Sequence, residues 1–433
     1  MSPYINLKEK ILNESATIAI IGLGYVGLNL LLNFNKKKFN IIGIDNDLKK
    51  IKKLNNGISP IFYLDSKKIK KSKQLTKYTS DFSNLNKSDI IIVCLPTPLK
   101  KNNTPDISHL KDVAILIKKY KPKGKLIILE STSYPGTTEE IFFPILNETQ
   151  NIIKNSTFLG FSPERENPGD KKNKFEKIPK VISGINKEST NLVNILYKKI
   201  TKKTVIAKNI KIAESSKLLE NIFRSVNIGM INEMKYALKK MNIDVHDVIK
   251  IAKTKPFGFM PFEPGPGVGG HCIPIDPLYF SWKAKKHGFN SKFISLATET
   301  NINVTKMISK NICTLIKKTK KNNQKVIILG LSYKKNIEDT RESASLKILQ
   351  HLKDNKIFVD YYDPYVKEEY IFKNTKKIKI KSIKFNYKVL KKYAYTILIS
   401  DHDIFKYNLI YQNSNFILDL RNRFKASNKV IKI

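Results

Sequence analysis

At 433 residues the chain exceeds what one core of ordinary size holds, and it implies two or three domains. Hydrophobic residues make up 41% and aromatic residues 10%, which excludes wholesale disorder. The formal net charge of +42 invites a nucleic-acid reading, yet arginine occupies only positions 165, 224, 341, 421 and 423 among 79 basic residues. The lysines are spread along the whole chain in pairs and triplets, without the arginine forks of a base-reading groove, so no nucleic-acid partner is expected. Met1 to Ser15 is polar and lacks the apolar core of a signal peptide. The apolar-looking stretch from Ala16 to Leu32 holds three glycines, Thr17 and Asn29, which reads as strand, loop and helix rather than a membrane span. Cys94, Cys272 and Cys313 are odd in number and far apart, so no disulfide framework or zinc ribbon is expected, and a cytoplasmic protein follows.

The first predicted strand, Thr17 to Ile21, is a short apolar run of the kind buried in parallel sheets. It leads directly into Gly22-Leu23-Gly24-Tyr25-Val26-Gly27, a helical stretch ending near Lys38, and a second strand from Asn40 to Ile44 that delivers Asp45. This context makes the glycine pattern a dinucleotide fingerprint. Gly22 makes the tight turn, Gly24 lets backbone reach a pyrophosphate, and Gly27 permits close helix–strand packing. The pyrophosphate is expected at the helix N-terminus beside Tyr25 and Val26, where free N–H groups and the dipole favour anions. Asp45, 18 residues after Gly27, is placed for ribose hydroxyls and repels a 2′-phosphate, which favours NAD over NADP.

The alternation of strands and helices continues. Asp89 to Leu95 closes on Pro96-Thr97-Pro98, and Leu126 to Leu129 runs into Glu130-Ser131-Thr132. Ligands of open α/β sheets gather at the carboxyl ends of strands, so Thr97 and Thr132 are candidate cofactor contacts. Phe161 to Asp170 reads as an irregular polar loop, and Ile212 to Ala237 as a long helix. On that helix Glu214, Lys217, Asn221 and Arg224 form one polar stripe, which is either the wet face of a surface helix or, if buried, a face that must meet a polar ligand. The segment Gly265 to Pro277 places four glycines within six residues, just before Cys272, with Asp276 four residues later. Glycine lets backbone approach a ligand closely, so Cys272 is either a reactive thiol or a small buried hydrophobe after a turn. After a Lys/Asn-rich linker (Lys317 to Gln324), Lys325 to Leu329 opens a second strand–loop–helix unit containing Lys334 and Arg341. Strands at Ile357–Tyr361, Ala394–Ile399 and Phe416–Leu420 complete it. The fold class expected is α/β, two Rossmann-like doubly wound domains joined by a long central helix.

These motifs, in this order from Gly22 to about Asn422, resemble the UDP-glucose/GDP-mannose dehydrogenase family. Glu130–Glu140, Ser162–Gly169 and Lys255–Lys283 are most similar to its bacterial UDP-N-acetylglucosamine 6-dehydrogenase branch, which serves polysaccharide and O-antigen synthesis. The resemblance implies oxidation of a sugar C6 alcohol to a carboxylate with two NAD⁺ and no metal. It implies an NAD-binding domain over 1–208, a central helical segment with the cysteine loop and a dimer contact over 209–316, and a UDP-sugar domain over 317–433. Cys272 is then the nucleophile that forms a thiohemiacetal and a thioester. Its surroundings are expected to be electropositive. Lys217 and Asn221 stabilise charge on the substrate oxygen, Asp276 and Thr132 order the hydrolytic water, and Glu164 is the general base. Arg224, Phe257, Phe262, Gly269 and Lys334, together with Glu164, Lys217 and Asn221, are the implied substrate contacts, and Arg341 an implied cofactor contact. One departure stands out. Relatives acting on UDP-glucose carry a second glutamate four residues after the first, whereas here Glu166 follows Glu164 by two. Its role stays open between catalysis and loop packing, as does that of His271 between tuning the thiol and structure.

Overall fold

The computed structural model describes residues 1–120, 122–147, 157–166, 175–318, 325–373 and 376–433. They form two compact units, residues 1–220 with 282–289, and residues 221–281 with 290–433.

The first unit runs through α1 (Pro3–Leu12), β1 (Thr17–Ile21), α2 (Tyr25–Lys36), β2 (Asn40–Ile44), α3 (Leu48–Asn55), α4 (Ser66–Ser72), β3 (Thr76–Thr79) and β4 (Ile90–Val93). It continues through α5 (Ser108–Lys119), β5 (Leu126–Leu129), α6 (Phe143–Leu146), β6 (Phe158–Phe161), β7 (Lys180–Gly184), α7 (Lys187–Lys198) and β8 (Thr204–Ile206). The strands order β3-β2-β1-β4-β5-β6-β7-β8, parallel except for the β6–β7 pair. The order reverses between β1 and β4, the switch point where nucleotides bind in such sheets. Alternation along β1 feeds two cores: Ile18 and Ile20 pack in a cluster with Leu31 and Phe34 of α2, Ala19 and Ile21 in one with Val113 and Ile117 of α5. Each such side chain, fully buried, stabilises by roughly 1.5–3 kcal/mol. At the exit of β5, Tyr134 lies against Trp282, ring centres 5.0 Å apart, while Lys286 covers that indole at 4.6 Å.

Helix α8 (Ile210–Lys240) is the long helix read from the sequence, extended by two residues at its start and three at its end. In the second unit, α9 (Val245–Ala252), α10 (Asp276–Lys286) and α11 (Lys292–Lys318) precede β9 (Val326–Leu329), α12 (Ala344–Asp354) and β10 (Val359–Tyr362). A two-stranded antiparallel ribbon, β11 (Glu368–Lys373) and β12 (Lys376–Lys381), comes before β13 (Tyr395–Leu398), α13 (Tyr407–Asn413), β14 (Phe416–Asp419) and β15 (Val430–Lys432). The sheet orders β10-β9-β13-β14-β15, parallel throughout. Gly229 lets α8 lie against α11, since a Cβ there would sit 3.2 Å from the Ala297 carbonyl. Both sheets match the doubly wound class, and among the described residues no helix is long and apolar enough to cross a membrane.

Candidate active site

Gly22 turns the chain out of β1 at φ +92°, a conformation at which glycine carries no steric penalty. A Cβ on Gly27 would lie 1.9 Å from the Gly22 carbonyl oxygen, so this glycine is what lets α2 close on the strand. Gly24 is different. Its φ of −84° suits any residue, and a Cβ there would meet nothing within 4 Å. It is the N-cap of α2 and, as glycine, brings no side chain to that helix end. Open space beside a helix N-terminus fits a pyrophosphate. Tyr25, stacked on Tyr63 at 5.9 Å, and Val26 stand half-buried at the same point. Asp45 is buried at the end of β2. Its Oδ2 accepts from the Leu23 N–H (2.8 Å) and pairs with Lys50 (2.6 Å), while Oδ1 accepts from the Asp47 N–H (3.0 Å). Thr97 and Thr132, on the adjoining exits of β4 and β5, meet where the Thr97 hydroxyl donates to the Thr132 carbonyl (2.7 Å).

Beside these exits lies a buried acid cluster. Lys180, at the head of β7, holds Glu130 at 2.7 Å and Glu164 at 3.5 Å. Glu130 also accepts from the Tyr197 hydroxyl, and burial pushes its carboxyl up to about 7, with Lys180 opposing and Glu164 adding. Burial and then Glu164 push Glu166 up to about 7 as well, and its Oε2 accepts from Asn29 at 3.0 Å. Burial likewise raises the Cys94 thiol. Arg165 turns aside to the Pro179 carbonyl and Glu220. Asn167 to Asp170 of this loop lie outside the described residues.

The stripe on α8 is not wet. Glu214, Lys217 and Asn221 are all buried, and only Arg224 is exposed. Glu214 binds the loop after β5, taking the Gly136 N–H and both the N–H and hydroxyl of Thr138 (3.0 and 2.8 Å). Lys217 has no ion-pair partner among the described residues. A buried ammonium without a counter-ion is expensive in free energy unless a ligand supplies one.

In the second unit, Asn221 donates to Asp276 and accepts from Arg224. Asp276 opens α10, and its N–H bonds back to the Cys272 carbonyl (2.9 Å), which also accepts from Ile275 (3.2 Å). Cys272 is half-buried. The loop's glycines are explained by the protein's own side chains rather than by ligand approach. A Cβ on Gly267 would sit 2.1 Å from Thr305 Oγ1, and on Gly269 or Gly270 within 2.7 Å of Tyr333. Gly265 is tied to Asn232 (3.0 Å), Pro266 to Thr305 (2.7 Å), and Gly270 to the Arg341 carbonyl (2.8 Å). Arg341 itself clasps Asp339 at 2.6 to 3.0 Å. Burial pushes the Tyr333 hydroxyl up to about 12, with Asp339 and Cys272 adding and Arg341 and Arg224 opposing. Burial and the Arg341 charge bring His271 down to about 4, so its imidazole is neutral and gives the thiol no cation. Phe262 packs edge-on to Phe223 at 5.8 Å, Phe257 is 70% exposed, and Lys334 is half-buried, its carbonyl accepting from Ser332 (2.8 Å).

Sequence reading did not single out Lys180, Asn232 or Thr305. A lysine heading an otherwise apolar strand was the one local signal.

The glycine turn at the switch point of the first unit's sheet has the form of a dinucleotide site. Residues 16–201 match the NAD binding domain of the UDP-glucose/GDP-mannose dehydrogenase family, 211–303 its central domain and 327–426 its UDP binding domain. The chain is similar to a UDP-N-acetyl-D-glucosamine 6-dehydrogenase of Pseudomonas aeruginosa, 37% identical over 81% of this chain and 83% of that one. It is also similar to a UDP-N-acetyl-D-mannosamine dehydrogenase of Methanococcus vannielii, 33% identical over 80% and 79%. Among solved structures, the UDP-N-acetyl-mannosamine dehydrogenase Cap5O of Staphylococcus aureus superposes with a TM-score of 0.81 at 28% identity, covering 96% and 97% of the two chains. The chain belongs to the UDP-glucose/GDP-mannose dehydrogenase family and is an NAD-dependent nucleotide-sugar dehydrogenase.

Proposed function

We propose that this enzyme oxidises the C6 hydroxyl of a UDP-N-acetylhexosamine, with UDP-N-acetylglucosamine favoured, to the uronic acid for surface polysaccharide or O-antigen synthesis. The observation that carries this reading is Cys272, half-exposed on a loop fastened at Gly265, Pro266 and Gly270, and followed by buried Asp276, which accepts from buried Asn221, itself bonded by exposed Arg224. The name of the Pseudomonas relative supports the choice of sugar.

NAD⁺ accepts the hydride in each of the two oxidations. In the first, the C6 alcohol loses a hydride and a proton, with Lys217 and Asn221 stabilising charge on its oxygen. The Cys272 thiolate adds to the resulting aldehyde, and the thiohemiacetal loses a second hydride and a proton to become a thioester. Water then adds to the acyl carbon, Glu164 takes its proton, the C–S bond breaks, and Cys272 leaves as thiolate. Thr132 and Asp276 orient that water. Tyr25, Val26, Gly24, Asp45, Thr97 and Arg341 belong to cofactor binding in this reading. Arg224, Phe257, Phe262, Gly269 and Lys334 belong to UDP-sugar binding.

A second reading, UDP-N-acetylmannosamine, is favoured by the names of the Staphylococcus and Methanococcus relatives. Purified protein incubated with NAD⁺ and each UDP-sugar in turn separates the two by kcat/KM. Two NADH per uronate is expected; one NADH with a released aldehyde would overturn the covalent route. Cys272→Ala should abolish acid formation and keep NAD⁺ affinity. We further propose a cytoplasmic homodimer. Exposed Met230 and Met234 of α8 and Phe293, Leu296 and Ile302 of α11 support the dimer, and light scattering tests it.

A further inference from the structure

Glu164 sits in surroundings that a lone catalytic carboxylate does not need. Three carboxylates, Glu130, Glu164 and Glu166, crowd the exits of β5 and β6, and among the described residues the cation within ion-pair reach of Glu164 is Lys180. Lys180 is itself 4% exposed, and the Glu130 it grips is fully buried. The ammonium lies 5.2 Å from the centre of the Tyr197 ring, whose hydroxyl donates to Glu130. One oxygen of Glu164, Oε1, accepts from the N–H groups of Arg165 and Glu166, and the other faces Lys180. The groups around Glu164 are therefore Glu130 after β5, Glu166 on its own loop, Lys180 on β7, Tyr197 on α7 and Cys94 after β4, with Asn29 of α2 bonded to Glu166.

We infer that Lys180, braced by Glu130 and Tyr197, is a positioning residue for thioester hydrolysis: it fixes the rotamer of Glu164 and, among the described residues, is the cation paired with both Glu130 and Glu164. The inference rests on the reading of Glu164 as the base. Lys180 touches no reacting atom. Its effect falls on the third chemical step, where water gives its proton to Glu164 as the C–S bond breaks, and leaves both hydride transfers alone. Lys180 lies 2.7 Å from Glu130 and 3.5 Å from Glu164, so removing this cation favours protonation of the neighbouring carboxylates. Removing Glu130 does the opposite.

The test is rapid-quench kinetics and intact-protein mass spectrometry on the full chain with NAD⁺ and the best UDP-sugar. Lys180→Gln should keep a burst of two NADH per site, then turn over on the order of tenfold more slowly while an acyl adduct accumulates on the protein. The acid limb of its kcat profile should move up by about one pH unit. Glu130→Gln should move that limb down. The double variant Glu130→Gln/Lys180→Gln keeps a neutral hydrogen-bonded pair, so it guards against misfolding from an orphaned buried carboxylate. It should still accumulate adduct. Lys180 variants with unchanged limb and no adduct would overturn the inference, as would limbs moving the same way in Lys180→Gln and Glu130→Gln. Glu164→Gln is the separate control. If it turns over without adduct, the base reading fails, whatever Lys180 does.

Discussion

The two units build the same circuit and use it differently. In each, a glycine at positive φ ends the first strand, Gly22 after β1 and Gly330 after β9. In each, a buried aspartate ending the neighbouring strand accepts the N–H that follows that glycine, Asp45 from Leu23 at 2.8 Å and Asp363 from Leu331 at 2.6 Å. The difference lies in what happens next. In the first unit α2 begins at once, and its N-cap Gly24 has no side chain to cap the helix. In the second, residues 331–342 intervene, and Ser343 caps α12 with its own hydroxyl, taking the N–H groups of Ser345 and Leu346. Asp363 is closed in as well, accepting from Ser332, Tyr365 and Val366 and pairing with buried His402 at 3.1 Å. The Asn336 N–H donates to His402 Nδ1, so the imidazole donates to Asp363 through Nε2. One helix terminus thus has a cap without a side chain, while the other is capped by Ser343, and there the intervening loop carries Lys334 and Arg341.

The sharpest break in this comparison comes at the glycines. Gly27→Ala should destabilise the first unit by about 3 kcal/mol, seen as a large drop in melting temperature, because its Cβ must displace backbone. Gly24→Ala should cost under about 1 kcal/mol yet weaken NAD⁺ binding by calorimetry, since that side chain enters only ligand space. Next come the aspartates. Asp363→Asn turns an amide toward several buried N–H donors and should lose about 3 kcal/mol of stability in chemical unfolding. Asp45→Asn should lose about 1 kcal/mol or less and narrow the preference for NAD⁺ over NADP⁺, because it frees Lys50 for a 2′-phosphate.

The smallest effect has opposite signs in the two units. Glu214 and Glu166 are held up to about 7 by burial, above their unfolded value, so their stabilisation is complete below pH 4.5 and is lost as pH rises through 7. His271 is held down to about 4, so its contribution is present above pH 6.5 and is lost as pH falls toward 4. Hydrogen exchange compared at pH 7.5 and pH 5, corrected for intrinsic rates, should show β5 gaining protection on acidification and the Cys272 loop losing it. Equal changes in both would remove the proposed burial of one set of groups.

Local chemistry made much of this legible. The fingerprint reads from spacing because Gly22 and Gly27 answer contacts within a few residues or the next strand, and β1, β2 and β5 span the residues predicted for them. β4 and β13 are shorter than read, since apolar character outlasts ladder pairing. The ribbon of β11 and β12 was not foreseen, although Ile378 and Ile380 alternate with lysines along β12. The turn of direction at β7 left no mark either. The acid cluster was illegible for a different reason. Lys180 lies 50 residues from Glu130 in sequence, and only the sheet order brings β5, β6 and β7 side by side. Nor could periodicity show that the α8 stripe is buried; that needed the packing around it.

The contact at the exit of β5 has an optical consequence. The chain contains a single tryptophan, so the whole of its indole emission comes from Trp282. That ring, on α10, lies against the phenol of Tyr134, which sits on the loop that continues from Thr132, and has the Lys286 ammonium 4.6 Å from its centre. The native protein therefore carries its own fluorophore at one defined place, and a titration with NAD⁺ or a UDP-sugar can be followed there by wavelength and quenching without any label.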